Sequence, residues 1–180
     1  MKKHYGEQLT GLREQVLRMG GLVEQMTRRV IQALVDRDVG ILPEVREMET
    51  RVNQLHIEID EACIELIALR QPAAVDLRFI AAAMKINSDM ERIGDQAINI
   101  TQRSESLLAV PTLKPLIDIP RMADIAQEML KASLDAFVNG DDALAYATIL
   151  KDDEVDQLKD QVFRELLTFM MSDPTTIPRA

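Results

Sequence analysis

The stretch Leu9–Ala33, LTGLREQVLRMGGLVEQMTRRVIQA, sets Leu9, Leu12, Val16, Met19, Val23, Met26, Val30 and Ala33 at alternating spacings of three and four. Side chains so spaced share one face of an α-helix, and a sustained alternation is the seam of long helices packed at small angles. The same rhythm recurs in Val45, Met48, Val52, Leu55, Ile59, Ala62, Leu66 and Leu69, and again in Phe79, Ala83, Ile86, Met90, Ile93, Ala97 and Ile100. Strand-like alternation is sustained nowhere, so the fold expected is all-α.

The breaks are as clear as the seams. Gly40 and Pro43 separate the first two segments, and Gln71-Pro72 the second and third. Pro111, Pro115 and Pro120 mark a linker, and Asn139-Gly140 before Asp141 reads as a helix stop followed by a new N-cap. A shift of 103 residues then lays the chain on itself. Met19, Leu22 and Met26 fall on Met122, Ile125 and Met129; Ala33 to Val35 fall on Ala136 to Val138; Asp38 falls on Asp141; Val52, Gln54 and Leu55 fall on Val155, Gln157 and Leu158. Shared apolar positions with shared helix boundaries indicate a duplicated three-helix unit. The division expected is a first bundle over residues 1–108, a linker over 109–120 and a second bundle over 121–180. The third helix of the first unit should run from about Ala73 to Ser106. Its counterpart would begin near Thr176, while the chain ends at Ala180. Five main helices are therefore expected, the second bundle lacking its last. Val155, Leu158, Val162, Leu166 and Phe169, with Ile125, Met129 and Phe137, should then face an open groove. A chain with such a groove is not expected to stay monomeric.

Composition narrows the classes of function. Hydrophobic residues are 47% of the 180, aromatics 3%, and Trp is absent, so the core is aliphatic. The net charge of −9 disfavours general binding to nucleic acid or anionic membranes. No run reaches the ~18 apolar residues of a membrane span, and the N-terminus does not read as a secretory signal. Cys63 is the single cysteine, set among apolar residues, which suits a reduced thiol in the cytoplasm.

Two acidic pairs stand out. Glu49 and Asn53 are four apart on the second helix, Glu91 and Asp95 four apart on the third, and both pairs are centred equally far from Pro72. Antiparallel helices joined there bring them to one height, with Asp89 nearby. Oxygen-rich sets of this kind suit hard cations such as Mg, Mn or Fe. Asp152 and Asp156 repeat the device in the second unit. Acidic residues on an exposed helix face are most often simply solvated, and Arg92 stands ready to pair with Glu91 or Glu49. The histidines His4 and His56 lack the Glu-x-x-His spacing of a ferritin-like centre. Gly20-Gly21 lies within a helical pattern and suggests close helix packing rather than a phosphate loop.

Several short runs together resemble the PhoU family: Met19-Gly20-Gly21 with Val23-Glu24-Gln25, Ile59-Asp60-Glu61-Ala62-Cys63, Arg70-Gln71-Pro72 with Asp76-Leu77-Arg78, Glu91-Arg92-Ile93-Gly94-Asp95, Val155-Asp156-Gln157, and Leu167 to Met171 with Thr176-Ile177-Pro178. The resemblance covers essentially the whole chain in order. It implies two three-helix bundles, a homodimer and a cytoplasmic location. It also implies a non-enzymatic negative regulator of the phosphate-starvation response and phosphate uptake. Its partners would be the ATPase subunit of a phosphate ABC transporter and a membrane-bound sensor histidine kinase, with no nucleic acid and no membrane insertion. Family members carry an acidic motif that holds multinuclear metal clusters in some of them, of Fe, Mn, Mg or Zn. By position Glu91/Asp95 and Asp152/Asp156 match that motif; Glu49 matches its first place, and Asn53 departs from its last. The competing readings are a carboxylate-cluster metalloenzyme and a purely structural helical scaffold.

Overall fold

A computed structural model describes residues 2–180, with side chains from Tyr5 onward; Met1 and the His4 side chain lie outside the described residues. Among the described residues there is no strand. The helices are α1 (Lys2–Asp36), α2 (Leu42–Arg70), α3 (Ala74–Leu108), α4 (Asp118–Asn139), α5 (Asp142–Leu150) and α6 (Asp152–Ser172), with 3-10 turns at Val39–Ile41 and Pro174–Arg179. None of them is long and apolar enough to cross a membrane.

Among the described residues six α-helices stand where five were expected, because the helix after Asp141 is interrupted at Lys151. The Thr148 hydroxyl donates back to the Leu144 carbonyl at 2.8 Å. The Lys151 N–H reaches Thr148 O at 3.1 Å in a tightened turn. Back-bonding of this kind bends helices, and Asp152, Asp153 and Glu154 then supply the acidic first turn of a new one. The linker is also shorter than its prolines suggested. Pro120 falls in the first turn of α4, where its missing N–H costs nothing.

The duplication is visible in the backbone. The Asp38 N–H donates to Ala33 O at 3.0 Å, and the Asp141 N–H to Ala136 O at 2.9 Å. Asp38 accepts from Gly40 N at 2.8 Å, Asp141 from Leu144 N at 2.9 Å. One helix stop and one carboxylate cap thus serve both copies.

The chain divides into two compact units: Met1–Met26 with Glu44–Asn99, and Thr27–Pro43 with Ile100–Ala180. The first is a bundle of α1, α2 and α3. Leu12, Val16, Met19, Val23 and Met26 of α1 and Val45, Val52, Leu55, Ile59, Cys63 and Leu66 of α2 are buried. Leu69, expected in the seam, is 65% exposed in the last turn of α2, and Cys63 rather than Ala62 takes the inner position. On α3 the buried face is turned from the one expected. It consists of Ile80, Ala83, Asn87, Met90, Gly94 and Ala97, with Phe79, Ile86 and Ile93 only half buried. Small side chains there let neighbouring helices come close. A Cβ on Gly94 would lie 3.3 Å from Val52 and 3.8 Å from Val23. The expectation for Gly20-Gly21 does not hold at Gly21, which is exposed and has open space where a Cβ would stand; Gly20 alone is buried.

In the second unit the end of α1 and the end of α3 join α4, α5 and α6. Val30, Ala33, Leu42, Thr101, Ser104, Ala123, Leu134, Ala136, Thr148, Leu158, Val162 and Thr176 are buried. The open groove expected along α6 is therefore partly filled, since Leu34 and Leu107 stand beside Val162 and Leu166. Exposed apolar residues of this unit include Tyr146, Ile149 and Leu150 on α5 and Phe163, Leu167, Phe169 and Met171 on α6, besides Val35, Val39, Ile117 and Ile177.

Candidate functional site

The α2–α3 pairing has the register that the acidic pairs require. Cys63 Sγ lies 4.0 Å from Ile80 O, Asn87 Nδ2 donates to His56 O at 2.9 Å, and Gly94 packs on Val52. Residues equally distant from Pro72 thus stand at equal height, so Glu49/Asn53 and Glu91/Asp95 share one level of the bundle. Glu49 and Glu91 are half buried, Asn53 and Asp95 exposed. The Asn53 amide donates to Glu49 Oε1 at 3.4 Å, a long bond within one helix. Arg92 pairs with Asp89 at 3.7 Å, both exposed, rather than with Glu91 or Glu49. In the second unit Asp152 and Asp156 are exposed, and Lys159 donates to Asp156 at 2.6 Å. Among the described residues, no three His, Cys, Asp or Glu side chains gather closely enough to hold a metal ion. As they stand the acidic pairs are not a preformed metal centre; their side chains would have to turn together to make one.

Sequence reasoning missed a polar knot beside these pairs. Asn87 is fully buried, and its amide bridges His56 O and Asp60 Oδ1, both at 2.9 Å. Asp60 also lies 3.8 Å from His56 Nε2. Burial, with Asp60 adding to it, pushes the Cys63 thiol up to about 11. The one signal in the sequence was an Asn four residues after core position Ala83 and three before core position Met90, which the apolar count passed over in favour of Ile86.

At the other end of α3, Arg37 takes a left-handed backbone with φ of 56°. Its guanidinium donates to Leu108 O at 2.9 Å, Val110 O at 2.7 Å and Thr112 Oγ1 at 3.0 Å. It thereby caps the end of α3 and holds the following segment. Lys114 in that segment pairs with Glu165 of α6, which holds the Glu165 carboxyl below its ordinary range.

The PhoU domain profile matches residues 16–104 and 119–179, one stretch in each repeat. A protein of Aquifex aeolicus (strain VF5) named phosphate-specific transport system accessory protein PhoU homolog is 40% identical over 174 residues, covering 97% of this chain and 79% of its own length. One of the same name from Caulobacter vibrioides (strain NA1000 / CB15N) is 42% identical over 176 residues, covering 97% and 76%. The crystal structure of PhoU from Pseudomonas aeruginosa superposes with a TM-score of 0.92 at 37% identity, covering 97% of this chain and 84% of that one. With both repeats matched in order and the fold shared, the chain belongs to the PhoU family.

Proposed function

We propose that this protein is a regulatory accessory of a phosphate transport system that lowers phosphate uptake and starvation signalling when phosphate is plentiful. The observation that carries the reading is the likeness to proteins named for that system, which runs through both repeats rather than through one borrowed helix. In this reading the chain works without catalysis, in the cytoplasm and as a homodimer. It bridges the ATPase subunit of the phosphate ABC transporter and a membrane-bound sensor histidine kinase. The exposed apolar residues of α5 and α6 suit a protein that acts by docking helical surfaces. Glu49, Asn53, Glu91, Asp95, Asp152 and Asp156 are the places proposed for Fe, Mn, Mg or Zn. Because these residues are peripheral to the core, a bound ion would add to the regulator rather than build its fold.

The test has two parts. Tagged chain is expected to co-purify with the transporter ATPase and the kinase from phosphate-replete cells. Loss of the gene is expected to release starvation-gene expression in phosphate-rich medium, and its return to silence it. Starvation genes that stay silent without the protein would overturn the reading. Elemental analysis of protein purified without chelator tests the metal separately.

A further inference from the structure

Asn139-Gly140 closes α4 and is the single Asn-Gly pair in the sequence. Such a pair sets an amide carbon, Asn139 Cγ, within ring-closing reach of the next backbone nitrogen. Glycine leaves that nitrogen unshielded and its backbone free to turn. The structure holds both partners back. The Gly140 N–H donates to Ala136 O, which also receives the Asp141 N–H at 2.9 Å. Asn139 Nδ2 donates to Asp135 O at 2.9 Å, so the amide lies back along the last turn of the helix. While these bonds stand, the nitrogen cannot lose its proton and turn onto Cγ. Helix ends open more readily than helix interiors. We propose that Asn139 is a site of self-modification, hydrolysed to aspartate and isoaspartate from the opened state of the last turn of α4.

The Gly140 nitrogen gives up its proton and bonds to Asn139 Cγ. The Cγ–Nδ2 bond breaks, and Nδ2 leaves with that proton as ammonia. Water then cleaves one of the two ring carbon–nitrogen bonds of the succinimide. Cleavage at Cγ leaves aspartate in an ordinary chain. Cleavage at the backbone carbonyl leaves isoaspartate, with the chain routed through the side chain. Nothing is oxidised or reduced, and water is the one co-reactant.

The two products differ in consequence. The first repeat has Asp36-Arg37 where the second has Asn139-Gly140, so it has no amide to lose, and the fold already carries an aspartate at this place. Isoaspartate instead adds a backbone carbon just before Gly140. The left-handed turn of Gly140, with φ of 66°, sets Asp141 to cap α5 by accepting from Leu144 N at 2.9 Å. Either product also adds a carboxylate at the negative end of α4. The chain from Ala132 to Leu150 already holds Asp135, Asp141 and Asp142, with no Lys or Arg. The junction of α4 and α5 is thus what isoaspartate undoes.

Mass-spectrometric peptide mapping of the chain aged in mildly alkaline buffer, beside a sample aged in urea, tests the proposal. Asn139 is expected to convert first among the asparagines in both samples, about ten-fold or more slower in the native one. Hydrogen exchange of the Gly140 N–H reports opening of the same turn, and its protection should match that slowing. The Leu144 N–H should lose protection in the purified isoaspartate chain and keep it in Asn139→Asp. Equal rates in native buffer and in urea would overturn the gate. A native Asn139 that stays intact beyond the time set by Gly140 exchange would overturn the site. Unchanged Leu144 protection in the isoaspartate chain would overturn the loss of the junction.

Discussion

Arg37 and Gly140 stand at the same point of the two repeats and share the left-handed backbone, with φ of 56° and 66°. A non-glycine residue there costs roughly 1 kcal/mol or more. Arg37 offsets that cost with three hydrogen bonds to the end of α3 and the segment after it; exposed bonds contribute about 0.5–1 kcal/mol each, the low end of the usual range. Arg37→Gly relieves the strain but loses the bonds and adds the entropy of glycine, so a net loss of about 1–2 kcal/mol is expected in urea denaturation. Gly140→Ala, whose Cβ meets nothing within 4 Å, should lose about 1 kcal/mol from backbone strain alone. An Arg37→Gly variant as stable as the parent would show that the cap carries no weight.

Asn87 is the buried residue whose chemistry leaves least freedom. Its Nδ2 serves His56 O and Asp60 together, while its Oδ1 has no partner. Asn87→Asp replaces a donor by a charge facing Asp60, and about 3 kcal/mol or more should be lost at neutral pH. Asn87→Ala should lose about 2 kcal/mol, the cost of leaving the acceptors unmet. Equal losses in the two variants at pH 7 would contradict the placement of the amide against Asp60.

Gly94 sits under Val52 with room for little more than hydrogen. For Gly94→Ala, a gain in helix propensity of about 1 kcal/mol opposes crowding at 3.3 Å. The net change should fall within about 1 kcal/mol of zero. Gly94→Val should lose about 2–3 kcal/mol through overpacking, and Val52→Ala in the same chain should restore part of it. Additive losses in that double variant would show that the two positions do not touch.

Cys63 is fully buried, and its thiol is raised to about 11. A thiol reacts as the thiolate, and at pH 8 only about one part in a thousand is ionised at such a value. Alkylation by iodoacetamide should therefore follow unfolding, with labelling in native buffer at least a hundred-fold slower than in denaturant. Rapid native labelling would mean that the α2–α3 contact at Ile80 opens readily.

Phe163, Leu167 and Met171 lie four apart along α6 and are all exposed. Static light scattering at micromolar concentration is expected to show association of the chain. Phe163→Ser with Leu167→Ser should reduce it, since each buried apolar side chain contributes roughly 1.5–3 kcal/mol. A parent chain that is monomeric under these conditions would show that this face is tolerated in water.

Periodicity by itself determined the all-α class, the seams of α1 and α2, and the duplication, because a helix turns through a fixed angle and its inner face must repeat. The turn chemistry at Gln71-Pro72 and Asn139-Gly140 determined where helices stop, and with it the register that levels Glu49/Asn53 with Glu91/Asp95. Counting apolar residues failed on α3. Its inner face is made of Asn87, Gly94, Thr101 and Ser104 among apolar neighbours, and small or hydrogen-bonded polar residues are buried only when a partner helix supplies close contact or an acceptor. Local sequence does not announce such a partner. Nor does it announce that Arg37 caps a helix whose end lies 71 residues away, or that Leu34 and Leu107 fill part of the groove beside α6. Those arrangements join residues far apart in the chain, so they arise only from the way the helices pack.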